Sequence, residues 1–426
     1  MKNKKIFGLA TALLLSMIVA GGLGAQDLKF DGYLNSGLGV VADDNKDNDP
    51  YMKAFGVDSE SNGYRFRLNG AYTNEAKNAG ARFRLQGQRR IDVSGYLAMP
   101  YAYGWVSFPN NNIFTLAGGI VMDSTWETAD WWWNDDQGEG LGLLLKIAPV
   151  KGLDFGVGAY TISQQSGGNN NILSINNNSS LPNFGGAIIH PEDAKYTFYA
   201  SYNMPDAFRL TGSFRTKNRA GWRDNPGSDY PYTGREESSQ LFAEFRLLAV
   251  KGLSVVALGL FDTLDEFNDK GNITLSETFA FKANDDLNIG LNAVQFFYNA
   301  KQAGDKGTDP SLLFNFWGSY AIGKVVPRLD LVYFIGGRSK TVTGNSQWER
   351  RGFEATKGAK DADDDLSVFS ARPSVKFNVD NRTFIELGDM INIDSGNYEG
   401  AYKDSGDDKK KSRLTNVFYI DLKFSF

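Results

Sequence analysis

The chain contains no cysteine and a single histidine, His190. Without thiols there is no disulfide framework, so a secreted fold of 426 residues has to be held by a large apolar core or by a membrane. A zinc centre lacks its usual ligands. Hydrolases that pair serine or acids with histidine are disfavoured too, because His190 precedes Pro191 in a long polar stretch with no nucleophile pattern beside it. Long apolar runs are also missing. Beyond residue 25 nothing approaches the ~20 residues that a helix needs to cross a bilayer, and mean hydropathy is -0.36. Nor does one sign of charge dominate: a formal net charge of -5 argues against nucleic acid as a partner.

Glycine and aromatics are plentiful instead. Forty-seven glycines, thirty phenylalanines and nineteen tyrosines stand against twelve prolines, which fits many twisted strands with aromatic borders. The first residues, "MKNKKIFGLATALLLSMIVAGGLGAQD", carry lysines, a short apolar core and then small residues. That is the layout of a secretory leader, expected over 1–25 and cut between Ala25 and Gln26. No cysteine follows the apolar core, so lipid attachment there is excluded.

Alternation with period two then recurs along the chain. Leu28, Phe30, Gly32, Leu34 and Leu38 share one face; Tyr64, Phe66, Leu68 and Tyr72 oppose Arg65, Arg67, Asn69 and Ala71. Phe208, Leu210, Gly212 and Phe214 oppose Arg209, Thr211, Ser213 and Arg215, and Phe369, Ala371, Val375 and Phe377 oppose Ser370, Arg372, Ser374 and Lys376. Two all-β architectures fit: a sandwich with its apolar faces inward, or a membrane barrel with them outward. Connection lengths separate the two. Short turns such as "NEAKN", "APVKG", "AVKG" and "VDN" alternate with long polar loops at 42–61, 123–139, 163–192, 217–236, 339–365 and 394–411. A transmembrane barrel, with turns on one side and loops on the other, produces that rhythm. Counting gives eighteen antiparallel up-and-down strands, with sixteen as the alternative, because 253–261 alternates poorly and Glu277 falls on the apolar face. One domain, 26–426, is expected to hold them all.

The chain ends "VFYIDLKFSF", with Phe418, Ile420, Leu422, Phe424 and Phe426 on one face. Together with the leader, the alternation and the loop asymmetry, this resembles the bacterial outer-membrane β-barrel porins. The resemblance spans 26–426 and is architectural. It implies passive diffusion of small hydrophilic solutes and ions through a water-filled channel in the bacterial outer membrane. Lipid surrounds such a barrel, the barrel-assembly machinery reads its terminal aromatic strand, and homotrimers are common. It implies no cofactor and no catalysis.

The interior charges are the candidate site. Strands two and three form a hairpin, so Arg65, Arg67, Arg82 and Arg84 fall on one face, with Arg89 and Arg90 at its rim. The four are expected to converge on one patch of inner wall as a pore-lining basic ladder, and because adjacent like charges repel, the patch is expected to draw anions, counter-charge or water. The resemblance also supplies a facing element, the loop between strands five and six that narrows the channel in general porins. Here that slot holds "MDSTWETADWWWNDDQGEG", with Asp123, Glu127, Asp130, Asp135 and Asp136 as candidate constriction residues. Its adjacent tryptophans depart from the family pattern and suit a membrane interface as well. "DDNKDND" has oxygens in alternation but lacks the turn glycine and distal Glu of a calcium loop, so no metal is expected. The rival function is a surface adhesin or structural barrel that binds partners through its long loops.

Overall fold

A computed structural model describes residues 27–43, 50–54, 64–88, 96–108, 112–121, 140–161, 194–219, 237–262, 264, 272–297, 311–336, 366–395 and 412–426. The expected leader at 1–25 and the connection 122–139 lie outside the described residues. The strands are β1 (Asp27–Asp43), β2 (Tyr51–Ala54), β3 (Tyr64–Thr73), β4 (Ala79–Gln88), β5 (Tyr96–Phe108) and β6 (Phe114–Val121). Then come β7 (Gly140–Val150), β8 (Leu153–Thr161), β9 (Ala194–Met204), β10 (Phe208–Arg219), β11 (Glu237–Leu247) and β12 (Leu253–Asp262). The rest are β13 (Asn272–Lys282), β14 (Leu287–Phe297), β15 (Ser311–Tyr320), β16 (Val325–Gly336), β17 (Leu366–Asn378), β18 (Thr383–Ser395) and β19 (Ser412–Ser425).

All belong to one antiparallel sheet, which closes where β1 pairs with β19 from Tyr33↔Ser425 to Asp43↔Thr415. The short β2 and the longer β3 share one edge of β1, at Leu38–Val41 and Asp27–Ser36 respectively. Nineteen strands therefore fill eighteen positions of the closed barrel. An even number brings both chain ends to the same rim, as closure needs.

Side-chain alternation sets inside from outside. On β19, Phe418 is 57% exposed and Tyr419 is 0% exposed. Outward positions around the barrel carry Phe, Leu, Val, Ile and Tyr, and neighbouring strands bring their rings together. Tyr202 meets Phe208 at 6.1 Å, and Phe208 meets Phe245 at 6.1 Å. Water would penalise such a continuous apolar exterior, whereas lipid accommodates it. The sandwich alternative is thereby excluded.

The final residue is part of the wall. Phe426 N–H donates to Gly32 O at 3.0 Å, Gly32 N–H donates to Phe426 O at 3.1 Å, and the Phe426 ring stacks on Phe66 at 6.5 Å. A terminus that would otherwise fray is held by a two-bond clasp and a ring contact.

Short turns crowd one rim, the turn end, and long connections leave the other, the loop end. The repeated stretch "VKGL" makes the same turn twice. Gly152 and Gly252 have φ of 86° and 80°, and their carbonyls accept from Asn203 N–H and Lys282 N–H, each at 2.7 Å. An added Cβ would stand 2.3 Å from Asn203 O or 2.8 Å from Lys282 O, so glycine is required at both places.

Candidate functional site: the inner wall

The four sequence-selected arginines all face inward from one hairpin. In the β3–β4 register Arg65 faces Gln88, Arg67 faces Gln86, Asn69 faces Arg84 and Ala71 faces Arg82. Each guanidinium thus sits at its own level, about 7 Å of strand from the next. The ladder they form is about 20 Å long from loop side to turn side. Within this hairpin no arginine is placed opposite another, which limits repulsion, whereas Arg209 and Arg246 do face each other on β10 and β11.

Amides and aromatic rings contact two members of this ladder. Arg67 Nε and Nη2 donate to Gln86 Oε1 at 2.9 and 2.6 Å, and its guanidinium lies 5.5 Å from the Tyr33 ring centre. Arg84 Nε donates to Asn69 Oδ1 at 2.9 Å and lies over Tyr101 at 4.9 Å. Asn69 in turn donates to Asp31 Oδ1 at 2.5 Å. Amides and ring faces orient a cation without cancelling it. Arg82, lowest on the ladder, is exposed, whereas Arg65 is buried. Arg89 and Arg90 lie outside the described residues, as do Asp123, Glu127, Asp130, Asp135 and Asp136.

On the wall formed by β15 to β19 and β1, arginines meet carboxylates instead. Arg328 Nε and Nη2 grip Asp330 through two 2.7 Å bonds while stacking on Trp317 at 5.0 Å. Arg372 Nη2 reaches the same Asp330 at 3.3 Å, both side chains 7% exposed. Tyr419 OH donates to Glu386 Oε1 at 2.9 Å, and Asn35 Nδ2 donates to Asp421 Oδ1 and Oδ2 at 3.1 and 3.0 Å. Bidentate pairing largely neutralises this wall. Glu386 escaped the sequence reading because its partner Tyr419 lies on another strand, and Asp330 because its second partner Arg372 does.

Two further features were not foreseen. Inward cations recur near the turn end around the barrel, among them Lys29, Arg82, Lys146, Arg209, Lys282 and Lys423. Lys29, Arg82 and Lys282 are exposed. Some have partners: Lys146 pairs with Asp154 at 3.4 Å, and Lys423 lies 4.7 Å from the Tyr33 ring centre. Strand alternation shows each of them, but scattered over many strands they form no local motif. Toward the loop end several inward positions are apolar and buried, beside buried polar ones such as Arg65, Arg215 and Gln240. Phe242, Leu258, Leu260, Val294, Leu313 and Phe334 line β11 to β16 there. Val41, Met390, Val417 and Tyr419 make one lateral cluster, and Ala117, Val121, Leu144 and Tyr199 make another with Tyr103 and Trp105. The inner face is therefore not polar throughout.

Among the described residues no group of three or more His, Cys, Asp or Glu could hold a metal. Of the positions expected from the sequence to form an assembly signal, Phe418, Ile420, Phe424 and Phe426 are exposed on the outer face, with Leu422 half-buried beside them.

No family model matches the chain, and no curated protein does. Solved structures resemble it in shape. OpdL of Pseudomonas aeruginosa is 9% identical with a TM-score of 0.48, covering 94% of this chain and 99% of that one. A triple-mutant porin of Rhodopseudomonas blastica is 14% identical with a TM-score of 0.43, covering 94% and 100%. OmpT, an outer membrane protein of Vibrio cholerae in its trimer form, is 10% identical with a TM-score of 0.42, covering 94% and 99%. The barrel assignment here comes from the strand register and the apolar exterior.

Proposed function

We propose that the chain is a porin of the bacterial outer membrane, passing small hydrophilic solutes and ions down their gradients. One observation carries the reading: a single closed wall bears Phe, Leu and Tyr on its outside and solvent-exposed Lys29 and Arg82 on its inside. Neither a cofactor nor covalent chemistry takes part; selectivity comes from pore radius and the field of the lining charges. Solvent-exposed cations such as Lys29 and Arg82 raise the local concentration of anions, so anions are favoured. The terminal strand, closed on Gly32 through Phe426, is the segment presented to the assembly machinery.

Purified protein in a planar bilayer is expected to conduct in discrete steps, with a reversal potential on the anion side in a salt gradient. Changing Arg65, Arg67, Arg82 and Arg84 together to Gln is expected to lower anion preference roughly three- to tenfold. An unmoved reversal potential would remove the ladder from the conduction path. A sealed, non-conducting membrane would favour a second reading, a surface barrel that binds partners through its long connections. The buried apolar inner wall at the loop end is the observation on its side.

A further inference from the structure

Among the described residues one pair of cations stands directly opposite on neighbouring strands, Arg209 on β10 and Arg246 on β11. Both face inward at the turn end, where Arg209 is the second residue of β10 and Arg246 the last but one of β11. Opposed residues hold their Cβ atoms about 5 Å apart, so two guanidiniums start from one spot on the wall, and like charges placed so are destabilising. Elsewhere on the inner wall an arginine faces a neutral or acidic residue, as Arg67 faces Gln86 and Arg372 faces Asp330.

The surroundings of the pair leave it open to the interior. Arg246 Nη2 lies 3.3 Å from Glu244 Oε1, one level toward the loop end; that carboxylate is 1% exposed, whereas the Arg246 side chain is 35% exposed. Arg209 is half-buried, and its Nε donates to Ser201 Oγ at 3.4 Å. Asp154, which faces Ser201 on β8, pairs with Lys146. On the other side of Arg209 stands its Cα partner Asn203 on β9, which is exposed. An amide and two guanidiniums on three successive strands therefore form one row, and Glu244 lies buried one level away from it.

We propose that this row binds a tetrahedral oxyanion, a phosphate group above all, at the turn-end mouth of the channel. The inference rests on the channel reading for access to solute and adds to it a solute class. Each guanidinium fork matches two oxygens carried on one centre. A carboxylate fills one fork, and chloride has no direction to match. A tetrahedral group offers a separate edge to each arginine while its charge offsets their repulsion, and Asn203 adds amide N–H donors.

The test uses the folded full chain in detergent, where binding is read without any current. Inorganic phosphate is titrated at constant ionic strength, balanced with chloride, and its phosphorus resonance is followed. Line broadening is expected to saturate and to be reversed by sulfate but not by acetate. Glycerol phosphate run in parallel separates two sources: saturation by both identifies the phosphate group as the ligand, and saturation by inorganic phosphate alone the free ion. Arg209→Gln, shown to be folded by heat-modified gel migration, should weaken phosphate about fivefold. Arg209→Lys keeps the charge but loses the fork, and should weaken it about threefold. Lys77→Asn removes an exposed cation from another turn of the same rim and should leave the affinity unchanged. Broadening that never saturates, acetate as effective as sulfate, or full affinity in Arg209→Lys overturns the proposal. Equal losses in Arg209→Gln and Lys77→Asn do so too, because they would show a general field of the rim. A bilayer that stays sealed while phosphate binding saturates removes conduction and leaves the site. A conducting channel without saturable binding removes the site and leaves conduction.

Discussion

The two halves of the barrel interior are built on opposite principles. Toward the turn end the inward side chains are Lys29, Asp31, Arg82 and Lys282, all exposed. Toward the loop end they are Leu260, Leu313, Phe334 and Val417, all at or below 1% exposure. A single strand shows the change: β12 presents Ser254, Val256, Leu258 and Leu260 to the interior in that order. Apolar side chains are added where water is excluded, and the charged groups buried there, such as Arg215 and Arg65, are held by polar partners. An inner wall therefore need not be uniformly wet, and its charge count at one rim does not describe the other.

The largest effect that could break this comparison is Leu313→Asp. If the loop half is dry, a carboxylate there should cost about 3 kcal/mol or more and prevent refolding into detergent. Refolding with an unchanged urea midpoint would mean that solvent fills that half. Nearly as large is Asp330→Asn, which strips the carboxylate charge shared by Arg328 and Arg372. A loss of about 3–5 kcal/mol is expected, since Arg372 and Asp330 are both buried. A loss below about 1 kcal/mol would make the β16–β17 pair as wet as a surface bridge.

The smallest effect concerns the turn end itself. Backbone N–H groups of Arg382 and Thr383 donate to Asp380 Oδ1 at 2.7 and 2.8 Å and hold its carboxyl below the ordinary aspartate value of 3.8. A depressed folded value contributes stability that is present above the unfolded value and lost as pH falls through the folded one. Asp380→Asn should therefore lie slightly below the parent at neutral pH, the gap closing in strong acid. Unfolding midpoints followed against pH check this, and a gap that stays constant would contradict it.

Much of the architecture was legible because alternation is local. The barrel, its eighteen positions and its aromatic closing strand all follow from period two and connection length. So does the arginine hairpin, whose two strands are neighbours in sequence. Register between distant strands is not local: Asn35 meets Asp421 across 386 residues and Arg372 meets Asp330 across 42. No spacing rule reaches that far. The poor alternation of 253–261 had a physical cause, since Val256, Leu258 and Leu260 are inward while Val255, Ala257 and Phe261 are outward. Apolar residues occupy both faces there because the inside is dry as well. A rule that assigns polar side chains to the interior could not see this.

The divided interior is tested most directly by reacting a water-soluble maleimide with two single-cysteine variants of β12, Ser254→Cys and Leu260→Cys, in detergent-solubilised protein. Both positions face inward, and the parent chain has no thiol of its own. Ser254→Cys is expected to label at the rate of a free thiol and Leu260→Cys on the order of a hundredfold more slowly. Equal rates at the two positions would contradict the account.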